Sequence, residues 1–170
     1  MPTTGKIAAG EFMRYLGDIR VVGVMHDRYD EVLTPAAIAL IGALHREFNG
    51  RRIELLALRA ERAVQRAAGA TLDFLPETRA IREHRTWRVA QPAPGLVDRR
   101  VEITGPTDKK MTINALNSGE KVWLADHEDA NTPLWENMIQ GQINLRDAID
   151  RTIDFTSPEG KKYQLRPDAQ

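Results

Sequence analysis

The spacing of apolar and polar positions divides the chain into a helical first part and a mixed second part. Residues 19–25, Ile-Arg-Val-Val-Gly-Val-Met, are rich in β-branched side chains and predict a short strand. Thr34-Pro35 is a helix start, with threonine as the cap and proline in the first helical position. From there Ile38, Ile41, Leu44, His45 and Phe48 recur at three- and four-residue spacing, which predicts a helix over 34–49 with one apolar face. Asn49-Gly50 supplies a left-handed stop. A second helix is predicted over 51–68, with Ile53, Leu56, Ala60, Ala63, Val64 and Ala67 as its buried stripe and Gly69 as its stop. So short a link implies an antiparallel helical hairpin.

A Gln-Pro-Ala-Pro-Gly stretch at 91–95 cannot be helix interior, and the character of the chain changes there. This places a helical N-terminal domain at 1–92 and an α/β domain at 93–170. A strand is predicted at 101–104, a helix at 108–118 closed by Gly119, and a strand at 121–125. The second strand is apolar almost throughout, as expected when both faces are covered. Strand, helix and strand in so few residues make a βαβ unit with a right-handed crossover and a parallel sheet. Thr132-Pro133 then opens a helix over 133–149, with Trp135, Met138, Ile139, Ile143 and Ala148 on its apolar side. Ile153 and Phe155 alternate before Ser157-Pro-Glu-Gly160, and Tyr163 and Leu165 after it, which predicts a hairpin over 152–165.

Composition narrows the function classes. The 170 residues are 42% hydrophobic and 28% charged, with zero formal net charge. That suits a folded chain of one domain, or one small domain with part of a larger one, and excludes a disordered polyelectrolyte. The balanced charge removes the electrostatic case for nucleic acid or an anionic membrane. Residues 1–90 carry 14 basic and 11 acidic side chains, and residues 91–170 carry 10 and 13. Arg51, Arg52, Arg59, Arg62 and Arg66 are interleaved with Glu47, Glu54 and Glu61, the pattern of a solvated or domain-facing helix. With no second ligand type at helical spacing, His45 reads as a packed histidine. The absence of cysteine excludes disulfides, cysteine-ligated zinc and a thiol nucleophile. The longest apolar run, Ala36 to Leu44, is nine residues, against the ~18 needed to span a bilayer. Met-Pro-Thr-Thr-Gly-Lys at the start lacks an apolar leader core. A soluble, cytoplasmic protein without nucleic-acid or membrane partners is expected.

The candidate chemistry sits where the second strand ends, in Asp126-His127-Glu128-Asp129. Ligands of parallel α/β folds gather beyond the carboxyl ends of strands. In an extended segment Asp126 and Glu128 point one way and His127 the other. Three acids in four residues raise one another's pKa unless a cation or hydrogen-bond donors are near. A divalent metal, an arginine partner, or simple capping of the following helix all fit this pattern.

The longer motifs are more specific. They are Asp98-Arg-Arg-Val-Glu-Ile-Thr-Gly-Pro106, Lys110-Met111, Ile113-Asn-Ala-Leu-Asn-Ser-Gly119, Ala125-Asp-x-Glu-Asp129 and Gly141-Gln-Ile-Asn-Leu-Arg-Asp147. Leu33-Thr34-Pro35, the arginines of 51–62, Leu75-Pro-Glu-Thr-Arg79 and Ile81-Arg82 add to them. Together the chain resembles the A-type malate synthases from about residue 18 to residue 167. The resemblance implies an N-terminal helical clasp followed by the first strands and helices of a (β/α)8 TIM barrel, incomplete in this chain. It also implies condensation of acetyl-CoA with glyoxylate and water to malate and CoA, with Mg2+ as cofactor. In that family an aspartate base enolises the acetyl methyl, and an arginine and the metal hold glyoxylate. Those catalytic and metal-binding residues correspond to positions beyond Gln170, so no residue here is assigned as catalytic or as a metal ligand. Asp126, Glu128 and Asp129 are expected to support the metal and glyoxylate site without touching the metal. Asp126 and Glu128 would face the barrel mouth, Asp129 would serve the loop or the next helix, and His127 would point away. Three departures from the family pattern are His127 for Phe, Ala130 for Ser and Lys109 for Arg. The chain alone is expected to be inactive. The alternative is a non-catalytic fragment that completes a barrel with a partner chain.

Overall fold

The computed structural model describes residues 14–16 and 19–169. The leader reading at residues 1–6 lies outside the described residues. In chain order the elements are strands β1 (Arg14–Leu16) and β2 (Ile19–Val21), helices α1 (Tyr29–Val32), α2 (Pro35–Ala67) and α3 (Arg79–Arg82), and strand β3 (Glu102–Gly105). Helix α4 (Lys109–Leu116), strand β4 (Val122–Ala125), helix α5 (Trp135–Ile149) and strands β5 (Asp154–Thr156) and β6 (Lys162–Gln164) complete the order. None of the helices is long and apolar enough to cross a membrane, among the described residues.

The chain forms two compact units. One comprises the segment ending at Ala39 together with Pro94 onward, and the other comprises Leu40–Ala93. In the first unit β3 and β4 pair in parallel, Glu102 opposite Val122 through Gly105 opposite Ala125, with α4 as the crossover between them. This is the βαβ unit that the sequence predicts. Asp108 caps α4 by accepting the Met111 N–H at 3.0 Å, and Gly119 ends the crossover at φ +84°, a backbone conformation that suits glycine. β5 and β6 form the expected hairpin, with Phe155 opposite Tyr163 and Gly160 at φ +85° in the turn.

Helix α5 is the centre of this unit because it buries two faces. Ile139 and Ile143 join Val21, Tyr29, Leu33 and Ile38 in one apolar cluster. Ala148 joins Ile113 and Ile153 in the other, covered by Leu116, Phe155 and Tyr163. Trp135 closes the first cluster: its indole N–H donates to the Val24 carbonyl at 2.7 Å, over Gly23.

Four expectations need correction. The strand at 19–25 is shorter, Ile19–Val21, and pairs antiparallel with β1. The helical hairpin is instead one continuous helix, α2, running through Asn49 and Gly50. A glycine in a helix interior costs roughly 1 kcal/mol, which is small against strong helix formers on both sides. One local pair also crosses the site, Arg52 Nε donating to Asn49 Oδ1 at 3.0 Å, and Arg51 pairs with Glu54 just beyond it. Without a second helix folded back on it, the expected apolar stripe is uncovered, with Ile53 52% and Val64 70% exposed. Lastly, β4 is not covered on both faces, since Leu124 is 51% exposed where further strands or helices would be needed.

Candidate functional site

The carboxyl ends of β3 and β4 lead into two loops, Pro106–Asp108 and Asp126–Asn131, that meet the N-terminal half of α5. The ladder extends one bond past the strands, the Asp126 N–H donating to the Gly105 carbonyl at 3.0 Å. The chain then turns at residues 127–130 rather than staying extended, so the side-to-side alternation expected of Asp126, His127 and Glu128 does not apply. Asp126 itself makes the turn. Its Oδ1 accepts the N–H groups of Glu128 at 2.9 Å and Asp129 at 2.8 Å. The carboxylate that serves the loop is therefore Asp126, the role expected of Asp129. Glu128 and Asp129 are exposed.

His127 turns toward α5. Its Nδ1 lies 3.2 Å from Asn131 Nδ2 and its Nε2 lies 3.4 Å from Gln142 Nε2. Its ring edge approaches Gly141 so closely that a Cβ there would stand 2.7 Å from Cε1. A glycine is required at 141 for the helix to come this near.

Beneath the turn lies a polar network that the sequence reading missed. Thr107 is fully buried, and Asn131 holds both of its ends. The Thr107 N–H donates to Asn131 Oδ1 at 2.9 Å, and Asn131 Nδ2 donates to Thr107 Oγ1 at 2.8 Å. Asn144 Nδ2 donates to the Thr107 carbonyl at 2.9 Å and its Oδ1 accepts from Gln140 at 3.1 Å. These groups and Asn137 border a cavity of about 240 Å³. The signal for it was Asn144, a polar residue between the apolar Ile143 and Ala148 in a helix face; such a position demands a buried hydrogen-bond partner.

Beside this network, Arg28 Nη1 and Nη2 donate to Asp147 Oδ2 and Oδ1 at 2.8 and 2.7 Å. The Arg28 hydrogen bonds hold the Asp147 carboxyl below its ordinary value, against the opposing effect of burial. At the start of β3, Arg99 and Arg100 pair with Glu102 and Asp98 and lower both carboxyls by hydrogen bonding.

The arrangement offers neutral carboxamides and two exposed carboxylates. Among the described residues, no three His, Asp or Glu side chains converge as a metal-binding group. Asp126, Glu128 and Asp129 therefore do not fit a Mg2+ ligand set by themselves.

Comparison with known proteins bears on the same residues. Residues 18–80 match the family described as malate synthase, N-terminal domain. A malate synthase of Streptomyces clavuligerus is 58% identical over 144 residues, 84% of this chain and 27% of the relative. One of Myxococcus xanthus is 53% identical over 147 residues, 86% of this chain and 27% of the relative. Malate synthase A of Escherichia coli is 44% identical over 137 residues, 81% of this chain and 26% of the relative. The chain spans about a quarter of the length of these relatives. Over most of its length the chain is thus similar to malate synthases, and over residues 18–80 to their N-terminal domain.

Proposed function

We propose that this chain supplies the N-terminal part of a malate synthase, an acyltransferase of the glyoxylate bypass that joins acetyl-CoA to glyoxylate. The observation that carries the proposal is 58% identity over a stretch that holds the βαβ unit and its acidic turn. In this reading β3 and β4 are the first strands of a (β/α)8 TIM barrel in a cytoplasmic enzyme. Their parallel register and crossover helix are what such a barrel repeats. Asp126 shapes the turn, and Glu128 and Asp129 add negative charge at the barrel mouth. The family's Mg2+ finds no ligand set among the described residues.

One observation favours the second reading, that a complementary chain completes the barrel. Among the described residues the parallel sheet has two strands, so each presents an unpaired edge, and Leu124 is half uncovered. Co-expression with residues of the Streptomyces clavuligerus relative that follow the matched stretch tests this. The reading expects a co-purifying complex that releases CoA from acetyl-CoA only when glyoxylate is present. Separate elution of the two pieces would remove the complementary-chain reading.

A further inference from the structure

The donors and acceptors around His127 leave one arrangement for the protons of its ring. The Thr107 backbone N–H can only donate, so the Asn131 atom 2.9 Å from it is the carboxamide oxygen. That turns the Asn131 NH2 group toward its two other neighbours, Thr107 Oγ1 at 2.8 Å and His127 Nδ1 at 3.2 Å. Both amide hydrogens are thereby used, and His127 Nδ1 accepts one of them. An accepting Nδ1 carries no proton, so the ring is neutral with its hydrogen on Nε2. Nε2 lies 3.4 Å from the Gln142 carboxamide, whose exposed side chain can turn its oxygen to that hydrogen. From α5 the ring meets Gly141 and Gln142, and from its own loop Asn131, all uncharged. The titratable groups of the adjoining loops are Asp126, Glu128 and Asp129 beside it and Asp108 after β3. Asp126 and Asp108 accept backbone N–H groups two and three residues further on.

We propose that His127 is a proton-controlled latch between the acidic turn and α5. The neutral ring closes a chain of hydrogen bonds that runs from the turn through Asn131 and Thr107 to Asn144. A proton taken from solvent onto Nδ1 sets N–H against N–H. Asn131 cannot answer by flipping its carboxamide, because its NH2 group would then face the Thr107 N–H. Either the ring leaves Asn131 or the buried Thr107 loses a bond, and in both cases the turn that carries Glu128 and Asp129 loosens from α5. The phenylalanine of the resembled family has no site for such a proton, so the latch belongs to His127 itself. The inference does not rest on the malate synthase reading and survives its failure.

The test records long-range 1H–15N spectra of the histidine rings in the 15N-labelled 170-residue chain, with His127 assigned by its loss in His127→Phe. At about pH 8.5, where a histidine ring is ordinarily neutral, His127 is expected to show a bare Nδ1 and a protonated Nε2. As the pH falls from about 8 to about 5, the Asn131 side-chain NH2 signals are expected to shift together with the ring, and to stay in place in His127→Phe. A free imidazole already favours Nε2–H, so Asn131→Asp supplies the discriminating reading. Its carboxylate still accepts the Thr107 N–H but offers the ring an acceptor, and at about pH 8.5 Nδ1 is expected to become protonated. The proposal is overturned if Nδ1 carries the proton in the unsubstituted chain at that pH, or if Asn131→Asp leaves the ring protons where they were. It is equally overturned if the Asn131 signals ignore pH or move as much in His127→Phe. Should Asn131→Asp fail to fold, the Asn131 signals of the unsubstituted chain and of His127→Phe decide alone.

Discussion

Arg28 and Asp147 are joined by two parallel hydrogen bonds across 119 residues of sequence. Arg28 stands at φ 67°, a left-handed conformation unfavourable for arginine by about 1–2 kcal/mol, which the bidentate pair holds in place. Asp147 is 7% exposed, and its backbone carbonyl also accepts from Thr152 and Ile153, so the pair ties α1 to the end of α5. Replacing Arg28 by alanine strands a largely buried carboxylate. The expected outcome of Arg28→Ala is a lower urea midpoint, moderated by the partial exposure of Arg28.

The same pair sets an acid dependence. The native Asp147 carboxyl lies below the ordinary value of 3.8, chiefly through the Arg28 hydrogen bonds. Its contribution to stability is fully present above that ordinary value and is lost as the pH falls through the depressed native one. Asp147→Asn is expected to flatten this part of the stability profile below pH 3.8. An unchanged acid limb in urea titrations would assign the dependence to other carboxylates.

Gly141→Ala tests the close approach of α5 to the loops. The added methyl would stand 2.2 Å from Thr107 Oγ1 and 2.7 Å from the His127 ring. Thr107 is pinned by Asn131 and Asn144, so it cannot yield cheaply. A loss of about 1–3 kcal/mol is expected. A thermal midpoint equal to that of the unsubstituted chain would show that the network gives way without cost.

Asp126 separates structure from charge. Asp126→Ala removes the acceptor for two backbone N–H groups and is expected to cost about 1–2 kcal/mol. Asp126→Asn keeps a carbonyl oxygen in the same place and is expected to leave stability within about 0.5 kcal/mol. Denaturant curves of the two variants check the difference. If the asparagine variant loses as much as the alanine one, the negative charge itself holds the turn.

Local pattern was legible where local chemistry decides. Asp108 and Gly119 frame α4, Ser157–Gly160 turns the hairpin, and the apolar side of α5 packs as its spacing indicates. Gly50 misled because a glycine permits a helix stop without requiring one, and among the described residues no second long helix folds back on α2 to reward it. The orientation of the acidic cluster was illegible for a related reason. Alternation holds only in extended backbone, and Asp126 had its own use for the next two N–H groups. Thr107, Asn131 and Asn144 are brought together by the tertiary fold, and only Asn144, polar on an apolar helix face, marks the network in advance.

Segment exchange asks whether this chain works as the N-terminal portion of a malate synthase. The matched 144-residue stretch of the Streptomyces clavuligerus enzyme is replaced by the corresponding stretch of this chain, and CoA release from acetyl-CoA is followed with and without glyoxylate. Glyoxylate-dependent release is expected from the chimera and none from the 170-residue chain alone. Adding Asp126→Asn and Glu128→Gln to the chimera is expected to cost about 10–100-fold. A folded chimera with no glyoxylate-dependent release would contradict the claim.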